Sequence, residues 1–402
     1  MRLHFVVQSV ALGLAIWASG APNTFASSDN IKIGYITDLS GVYADSDGLG
    51  GVAAVRMAIA DFGGKVNGKP IELLSVDNQN KPAVAASQAR EWFDRDGVDM
   101  ILGGTNSGVA LATNRIAVEK KKLYISIGAG TDRLTNEECS GYTIHYAYDT
   151  TALAKVVGSA VTKQAGSKTW YFVTADYAFG KSLEKAASEV VSENGGRVVG
   201  GVRHPLAASD FSSFVLQAQA SKAQVLGLAN GGGDTVNSIK SAKQFGIDKS
   251  MKIAALLVFI SDVHSLGLQD AQGLLLTDSW YWNQSDSSRI WAGRYFDKVK
   301  KMPGSLQAAD YSATMNWLKA VQSVGSTDPD KIVAQLKKVG IDDFYARGYI
   351  RQDGLMIHNM YLFEVKKPSE SSKPWDYYRL LATVPGEQAF ATKAETRCEM
   401  WK

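Results

Sequence analysis

Short apolar runs alternate with longer stretches whose apolar residues recur at helical spacing, and along this chain the alternation runs its course and then begins again. Strand candidates at 31–37, 71–76, 100–102 and 123–127 are separated by amphipathic stretches at 53–62, 83–94 and 107–119. Segments of strand period and helix period in turn are the mark of βαβ units, in which parallel strands are joined by helical crossovers. After a helix at 152–163 the rhythm restarts, with strands at 169–173, 197–202, 225–228 and 253–258 and helices at 181–193, 211–220 and 235–245. The pattern predicts an α/β chain folded as two Rossmann-like lobes of the same design, each built on a parallel sheet. Beyond a strand at 274–278 the chain turns helix-rich, at 290–299, 311–323 and 330–338. Extended pieces return at 349–351 and 360–365, and the tail from Pro368 reads as irregular.

A leader stands in front of this rhythm. Arg2 supplies a basic start, Phe5 to Trp17 an apolar stretch too short to span a bilayer, and Thr24 and Ala26 the small residues of a signal-peptidase site. Residues 1–26 are therefore expected to be a signal peptide, with the mature chain starting near Ser27 outside the cytoplasm. No cysteine lies near the cut, so no lipid anchor is expected, and no later segment approaches a membrane span. The formal charge of +3, with both signs mixed along the chain, leaves no footprint for nucleic acid or an anionic membrane surface.

Two cysteines, Cys139 and Cys398, fall in a compartment that permits disulfides. A bridge between them is expected to tie the C-terminal tail to the end of the first lobe, contributing about 3 to 5 kcal/mol in the chain-entropy model. Neither cysteine has a second Cys or His at ligand spacing, and His4, His145, His204, His264 and His358 show no such spacing either, so no metal or cofactor is expected.

Particular residues carry more than the rhythm does. They are Ile33-Gly34-Tyr35-Ile36-Thr37-Asp38-Leu39-Ser40-Gly41, Gly103-Gly104-Thr105-Asn106-Ser107, Ile125-Ser126-Ile127-Gly128-Ala129-Gly130-Thr131, Asp176-Tyr177-Ala178-Phe179-Gly180, Ala309-Asp310-Tyr311-Ser312-Ala313 and Gly325-Ser326-Thr327-Asp328. In this order they resemble the periplasmic binding proteins of the branched-chain amino acid type, leucine-binding-protein-like solute receptors of ABC importers, over nearly the whole mature chain. The resemblance implies a type I periplasmic binding fold whose chain crosses between lobes three times, near 146–150, 279–283 and 345–351. Lobe 1 is then 27–148 with 284–344, lobe 2 is 149–278 with 352–367, and 368–402 is a C-terminal tail. Such a hinge lets two rigid lobes close on a ligand, and an inner-membrane ABC permease reads the closed form. The expected product is a monomeric periplasmic receptor and not an enzyme.

Ligands of open α/β sheets lie beyond the carboxyl ends of the strands. Ser107 opens a helix there, and its hydroxyl with the free N–H groups of the first turn suits a carboxylate. In the family a serine at this place binds the ligand carboxylate, helped by the loop that here reads Ala129-Gly130-Thr131. A plain N-cap is the bland reading of the same serine. Tyr43 and Tyr177 stand where the family places wall residues, and Phe179, Trp280, Tyr281 and Trp282 gather at the other side and the hinge. An aromatic wall suits a flat ligand, at about 0.5 to 1.5 kcal/mol per ring pair beyond area burial. Trp280 or Trp282 equally suits packing under the hinge, because alternate strand residues face opposite ways.

Members that bind amino acids set a second-lobe carboxylate against the α-ammonium, after the strand that here ends Leu256-Leu257-Val258-Phe259-Ile260. Val258 or Phe259 falls at that place, without charge. Asp262, and Asn230 or Asp234 in the turn Asn230-Gly231-Gly232-Gly233-Asp234, stand as alternatives. A buried ammonium without a partner is costly, which favours a ligand lacking one. The stretches Trp280-Tyr281-Trp282-Asn283, Ile350-Arg351-Gln352-Asp353-Gly354, Met360-Tyr361-Leu362-Phe363-Glu364-Val365-Lys366 and Pro374-Trp375-Asp376-Tyr377-Tyr378, with the late Cys398, resemble a subgroup associated with aromatic acids. A benzoate-like, cinnamate-like or aryl-keto acid is therefore the expected ligand. A branched-chain or other amino acid is the alternative, and a ligand-presenting sensor subunit the alternative role.

Two motifs are set aside. Ala175 to Ser182 imitates a phosphate loop, but Ala175 replaces its first glycine and the bulky Tyr177 and Phe179 fill it. Gly48, Gly50 and Ala53 mimic a dinucleotide fingerprint, yet the loop from Thr37 is too long for the tight turn. No serine sits in a nucleophile elbow.

Overall fold

A computed structural model describes residues 30–402, so the expected signal peptide lies outside the described residues. The first sheet contains β1 (Ile31–Thr37), β2 (Lys65–Val66), β3 (Lys69–Asp77), β4 (Met100–Gly103), β5 (Leu123–Ser126) and β6 (Thr143–His145), in the spatial order β2-β3-β1-β4-β5-β6. All pairings are parallel except β2 with β3, a hairpin closed by Asn67 and Gly68, both with positive φ, as a two-residue turn requires. β4 and β5 are buried along their whole length, which is why they read as continuous apolar runs without alternation. Ile33 and Tyr35 face one core with Val52 and Val55 of helix Gly48–Asp61, whereas Ile36 faces a second core with Trp92, Ile101 and Val109.

The second sheet holds β7 (Thr169–Ala175), β8 (Arg197–His204), β9 (Val225–Ala229) and β10 (Lys252–Ala255), all parallel, in the order β10-β9-β7-β8. β10 stops at Ala255 and not at Val258 as expected. Leu256, Leu257 and Val258 are buried in a turn, so apolarity alone prolonged the predicted strand.

The later chain adds β11 (Leu275–Asp278), β12 (Ile341–Asp342), β13 (Arg347–Ile350), β14 (Met356–His358), β15 (Met360–Val365) and β16 (Tyr378–Val384). β11, β15 and β16 form one antiparallel sheet, and β12, β13 and β14 another. The irregular tail expected from Pro368 is thereby corrected: β16 pairs along β15. As an edge strand it leaves Leu380 and Leu381 exposed side by side and shows no alternation to reveal it. Helix Ser305–Val324 starts six residues before the expected 311. Its first ten residues, Ser305–Thr314, are all buried, which removes the amphipathic stripe, and Gln307 Oε1 accepts from Gly304 N at 2.8 Å to close its first turn. This helix packs on helix Gly48–Asp61.

Cys139 and Cys398 form the expected disulfide, with Cα atoms 5.8 Å apart across 259 residues of sequence. The neighbouring Arg397 binds Asp132 Oδ2 at 2.7 Å and Glu137 Oε1 at 2.6 Å. Nearby, the tight turn after β13 docks on the first sheet: Leu355 bridges His145, and Gly354 has φ +86 where a Cβ would stand 2.2 Å from Thr143 O. Among the described residues no helix is long and apolar enough to cross a membrane.

Candidate functional site

In the first sheet β3 and β4 flank β1, and in the second β8 and β9 flank β7. At such a switch point the loops leaving adjacent strands part in opposite directions and open a crevice. The two crevices face each other. Asp38, at the end of β1, gathers the first loop by accepting from Gly41 N at 2.7 Å, Tyr43 N at 2.9 Å and Asn80 Nδ2 at 2.7 Å. That loop touches the glycine turn after β9, where Val42 O accepts from Gly233 N at 3.0 Å. Gly232 has φ +58, and a Cβ there would meet Val42 O at 2.5 Å, so this approach requires glycine. The Tyr43 and Tyr177 hydroxyls share a short hydrogen bond across the gap.

Behind that pair lies a tight cleft, closed with no room for a water molecule and walled by Tyr43, Thr105, Gly128, Tyr148, Tyr177, Phe179, Leu257 and Phe259. Four residues singled out in the sequence, Tyr43, Tyr177, Phe179 and Phe259, thus meet at one place. Gly130 lies against them, since a Cβ on it would be 2.8 Å from the Phe179 ring. Gly180 is explained by packing and not by phosphate: a Cβ there would stand 2.1 Å from Ala175 O.

Ser107 is the first helical residue, and the capping role falls to Asn106, whose Oδ1 accepts from Gly108 N at 2.8 Å and Val109 N at 3.1 Å. The N-cap alternative for Ser107 is therefore excluded. Its hydroxyl oxygen accepts instead from Thr131 N at 3.2 Å, and the Thr131 Oγ1 is buried with no hydrogen-bond partner. The carbonyls of the loop are spoken for: Gly128 O accepts from Tyr148 OH at 2.8 Å, Ala129 O meets His145 Nε2, and Gly130 O accepts from Thr150 N at 2.7 Å.

Two expected site residues stand elsewhere. Trp280 turns away from the cavity, its Nε1 donating to Ser288 Oγ at 3.1 Å and its ring set edge-on to Trp291 and Phe344. Asn230 spends its side chain on the helix that follows it, donating to Ser238 Oγ at 3.0 Å and accepting from Thr235 Oγ1 at 2.8 Å. Conversely Tyr148, Thr105 and Leu257 wall the cleft although the sequence gives none of them a site role. Tyr148 lay in a stretch read only as a crossing, although its aromatic character was a usable signal.

Among the described residues no charged side chain walls the cavity. Asp262 caps its own helix by accepting from Phe259 N at 2.9 Å, and burial pushes its carboxyl up to about 7. Asp234 accepts from Ala207 N at 3.1 Å while its Oδ1 is buried without a partner, and burial raises it to about 6. Beneath Thr105 lies a carboxyl pair. Thr105 Oγ1 donates to Asp47 Oδ2 at 3.2 Å, and Tyr35 OH stands 2.7 Å from Asp47 Oδ1 and 2.9 Å from Asp310 Oδ2. One phenolic proton serves only one of them. Burial, followed by the Asp47 charge, holds the Asp310 carboxyl well above the usual range, so the pair keeps a proton that the unfolded chain, with Asp near pH 3.9, has lost. The stability this confers is complete below the unfolded value and is lost as pH rises through the folded one. Asp310→Asn, which cannot ionise, should therefore show a shallower fall in urea midpoint between pH 5 and 9 than the wild type; equal slopes would refute the shared proton.

Residues 30–372 match the family model described as periplasmic binding protein. The chain belongs to the periplasmic binding protein family. Among solved structures, this binding protein is 70% identical to a periplasmic binding protein of Burkholderia mallei, covering 93% of this chain and 100% of that one with a TM-score of 0.92. A branched-chain amino acid ABC transporter periplasmic ligand-binding protein of Burkholderia xenovorans LB400 is 43% identical over 93% of this chain and 100% of its own, at a TM-score of 0.82. A solute-binding protein of an R. palustris ABC transporter, in complex with 4-hydroxybenzoate, shares the fold at 23% identity and a TM-score of 0.81, over 89% of this chain and 98% of that one. The two parallel sheets with facing switch points are thus those of a type I periplasmic binding fold.

Proposed function

We propose that this protein is the substrate-binding component of an ABC importer, exported to the periplasm, and that it closes two lobes on a small aromatic acid. The lobes divide at 146–150, 279–283 and 345–351, and the closed form is what the permease reads. The observation that carries the ligand class is the cavity wall: five rings, from Tyr43, Tyr148, Tyr177, Phe179 and Phe259, and no charged side chain among the described residues. Rings on that wall stack on a flat ligand, whereas an α-ammonium would be buried there without a counter-charge. The Ser107 hydroxyl and the unpartnered Thr131 Oγ1 receive the carboxylate, with the Ala129-Gly130-Thr131 backbone beside them.

Calorimetric titration of refolded protein with 4-hydroxybenzoate, 4-coumarate, phenylpyruvate and leucine tests this reading. Binding of an aromatic acid with none of leucine is expected, and leucine alone would overturn it. Ser107→Ala should weaken binding of the aromatic acid by about 1 to 3 kcal/mol, the range for losing a hydrogen bond to a buried charged group. An unchanged affinity with the fold intact would remove Ser107 from the site. One observation favours an amino acid instead: the Asp234 Oδ1 is buried without a partner behind the glycine turn that carries the Tyr43 contact.

A further inference from the structure

A second cavity, about 340 Å³ and open to solvent, lies beside the small one. Phe259 is the one residue that lines both. The outer cavity combines apolar walls at Leu39, Val299, Met302 and Trp375 with the charged residues Asp45, Asp47 and Lys301. It also has Ser46, 4% exposed, whose Oγ is buried with no hydrogen-bond partner. The inner cleft is closed tight, with no room for a water molecule between its rings, whereas the outer cavity falls within the range of about 300 to 1,000 Å³ in which drug-sized ligands are held.

Phe259 is the extended residue before helix Ile260–Leu266, and its buried side chain packs in the same core as Ile260 and Val263 of that helix. Its N–H is held by Asp262 Oδ2 at 2.9 Å, and its ring leans on Tyr148 with centroids 6.3 Å apart. The partition between the cavities is therefore a side chain on a backbone that is fastened independently of it. Removing the ring opens the wall without unfastening the turn.

We propose that Phe259 is the specificity-determining residue for ligand length: its ring confines the site to one-ring acids and closes off the outer cavity, which is built to take the distal end of an elongated aromatic acid. The apolar walls take a second ring, and the Ser46 hydroxyl takes a distal oxygen. The inference rests on the aromatic-acid reading, and its test separates the two. Wild type, Phe259→Ala and Phe259→Leu are titrated with 4-hydroxybenzoate and with 4′-hydroxybiphenyl-4-carboxylate. The expected result is a gain of at least about tenfold in affinity for the two-ring acid in Phe259→Ala, the discrimination a hydrophobic pocket achieves for a small change in shape. A smaller gain is expected in Phe259→Leu, and the gain falls again in Phe259→Ala/Ser46→Ala. A folded Phe259→Ala with no gain, or a wild type that takes both acids equally, overturns the proposal. Should Phe259→Ala not fold, a Phe259→Leu without gain does the same. Failure of 4-hydroxybenzoate to bind the wild type, together with a gain for the two-ring acid in the variant, sinks the one-ring reading and leaves the partition standing.

Discussion

Arg351→Ala lowers the free energy of unfolding by about 3 to 5 kcal/mol, because it strands a buried carboxylate. Arg351 is 7% exposed and Asp353 fully buried. The guanidinium reaches Asp353 three times, from Nε to Oδ1 at 3.0 Å and to Oδ2 at 3.2 Å and from Nη2 to Oδ2 at 2.6 Å, donates from Nη1 to Ala391 O at 2.6 Å, and lies 3.7 Å over the Trp401 ring. Truncation removes four hydrogen bonds and leaves the Asp353 charge with only the Leu355 N–H at 3.2 Å. Urea unfolding followed by circular dichroism measures the loss, and a change below about 1 kcal/mol would show the carboxylate to be solvated. Arg351→Met combined with Asp353→Ala should recover part of the loss, since a pair replaced by apolar groups leaves no charge behind.

Opening the disulfide is expected to have an effect of the same size. Cys139→Ser with Cys398→Ser should lower stability by about 3 to 5 kcal/mol, through the freedom returned to an unfolded chain no longer closed over 259 residues. The ion pairs beside it do not substitute for the bond. Arg397 with Asp132 and Glu137 is half-exposed, and such pairs contribute about 0 to 1 kcal/mol each. Wild-type protein in reductant should unfold at the midpoint of the double variant, and equal midpoints for oxidised and reduced wild type would rule out the stabilisation.

The parts of this molecule legible in the sequence are those where one residue's position decides its surroundings. Tyr43, Tyr177 and Phe259 each follow the carboxyl end of a sheet strand, and strand order alone brings such positions together. Where the outcome depends on partners far along the chain, the sequence is silent. Trp280 could face either side of its segment, and Ser288 with Phe344 O, 64 residues on, settled it. Asn230 sits in a glycine-rich turn that suggests a ligand, yet Thr235 and Ser238 of the following helix consume it. Tyr148 was hidden in a crossing, and β16 by the absence of alternation on an edge strand. Ser107 was recognised as the start of a helix, but only the structure hands the cap to Asn106.

The fastening of Cys398 to Cys139 also bears on how this protein can be made to report its ligand. The described chain begins in β1, in the middle of the first sheet, and it ends four residues after a cysteine bonded beside β6 of that same sheet. Both ends of the described chain therefore ride on one body. Fluorescent domains fused at the two ends would keep a constant separation while the lobes move, and energy transfer between them would stay flat through a full titration. A biosensor built on this scaffold needs one of its fluorophores moved to the second lobe, for example at the exposed turn around Gly246, with the other left at Lys402.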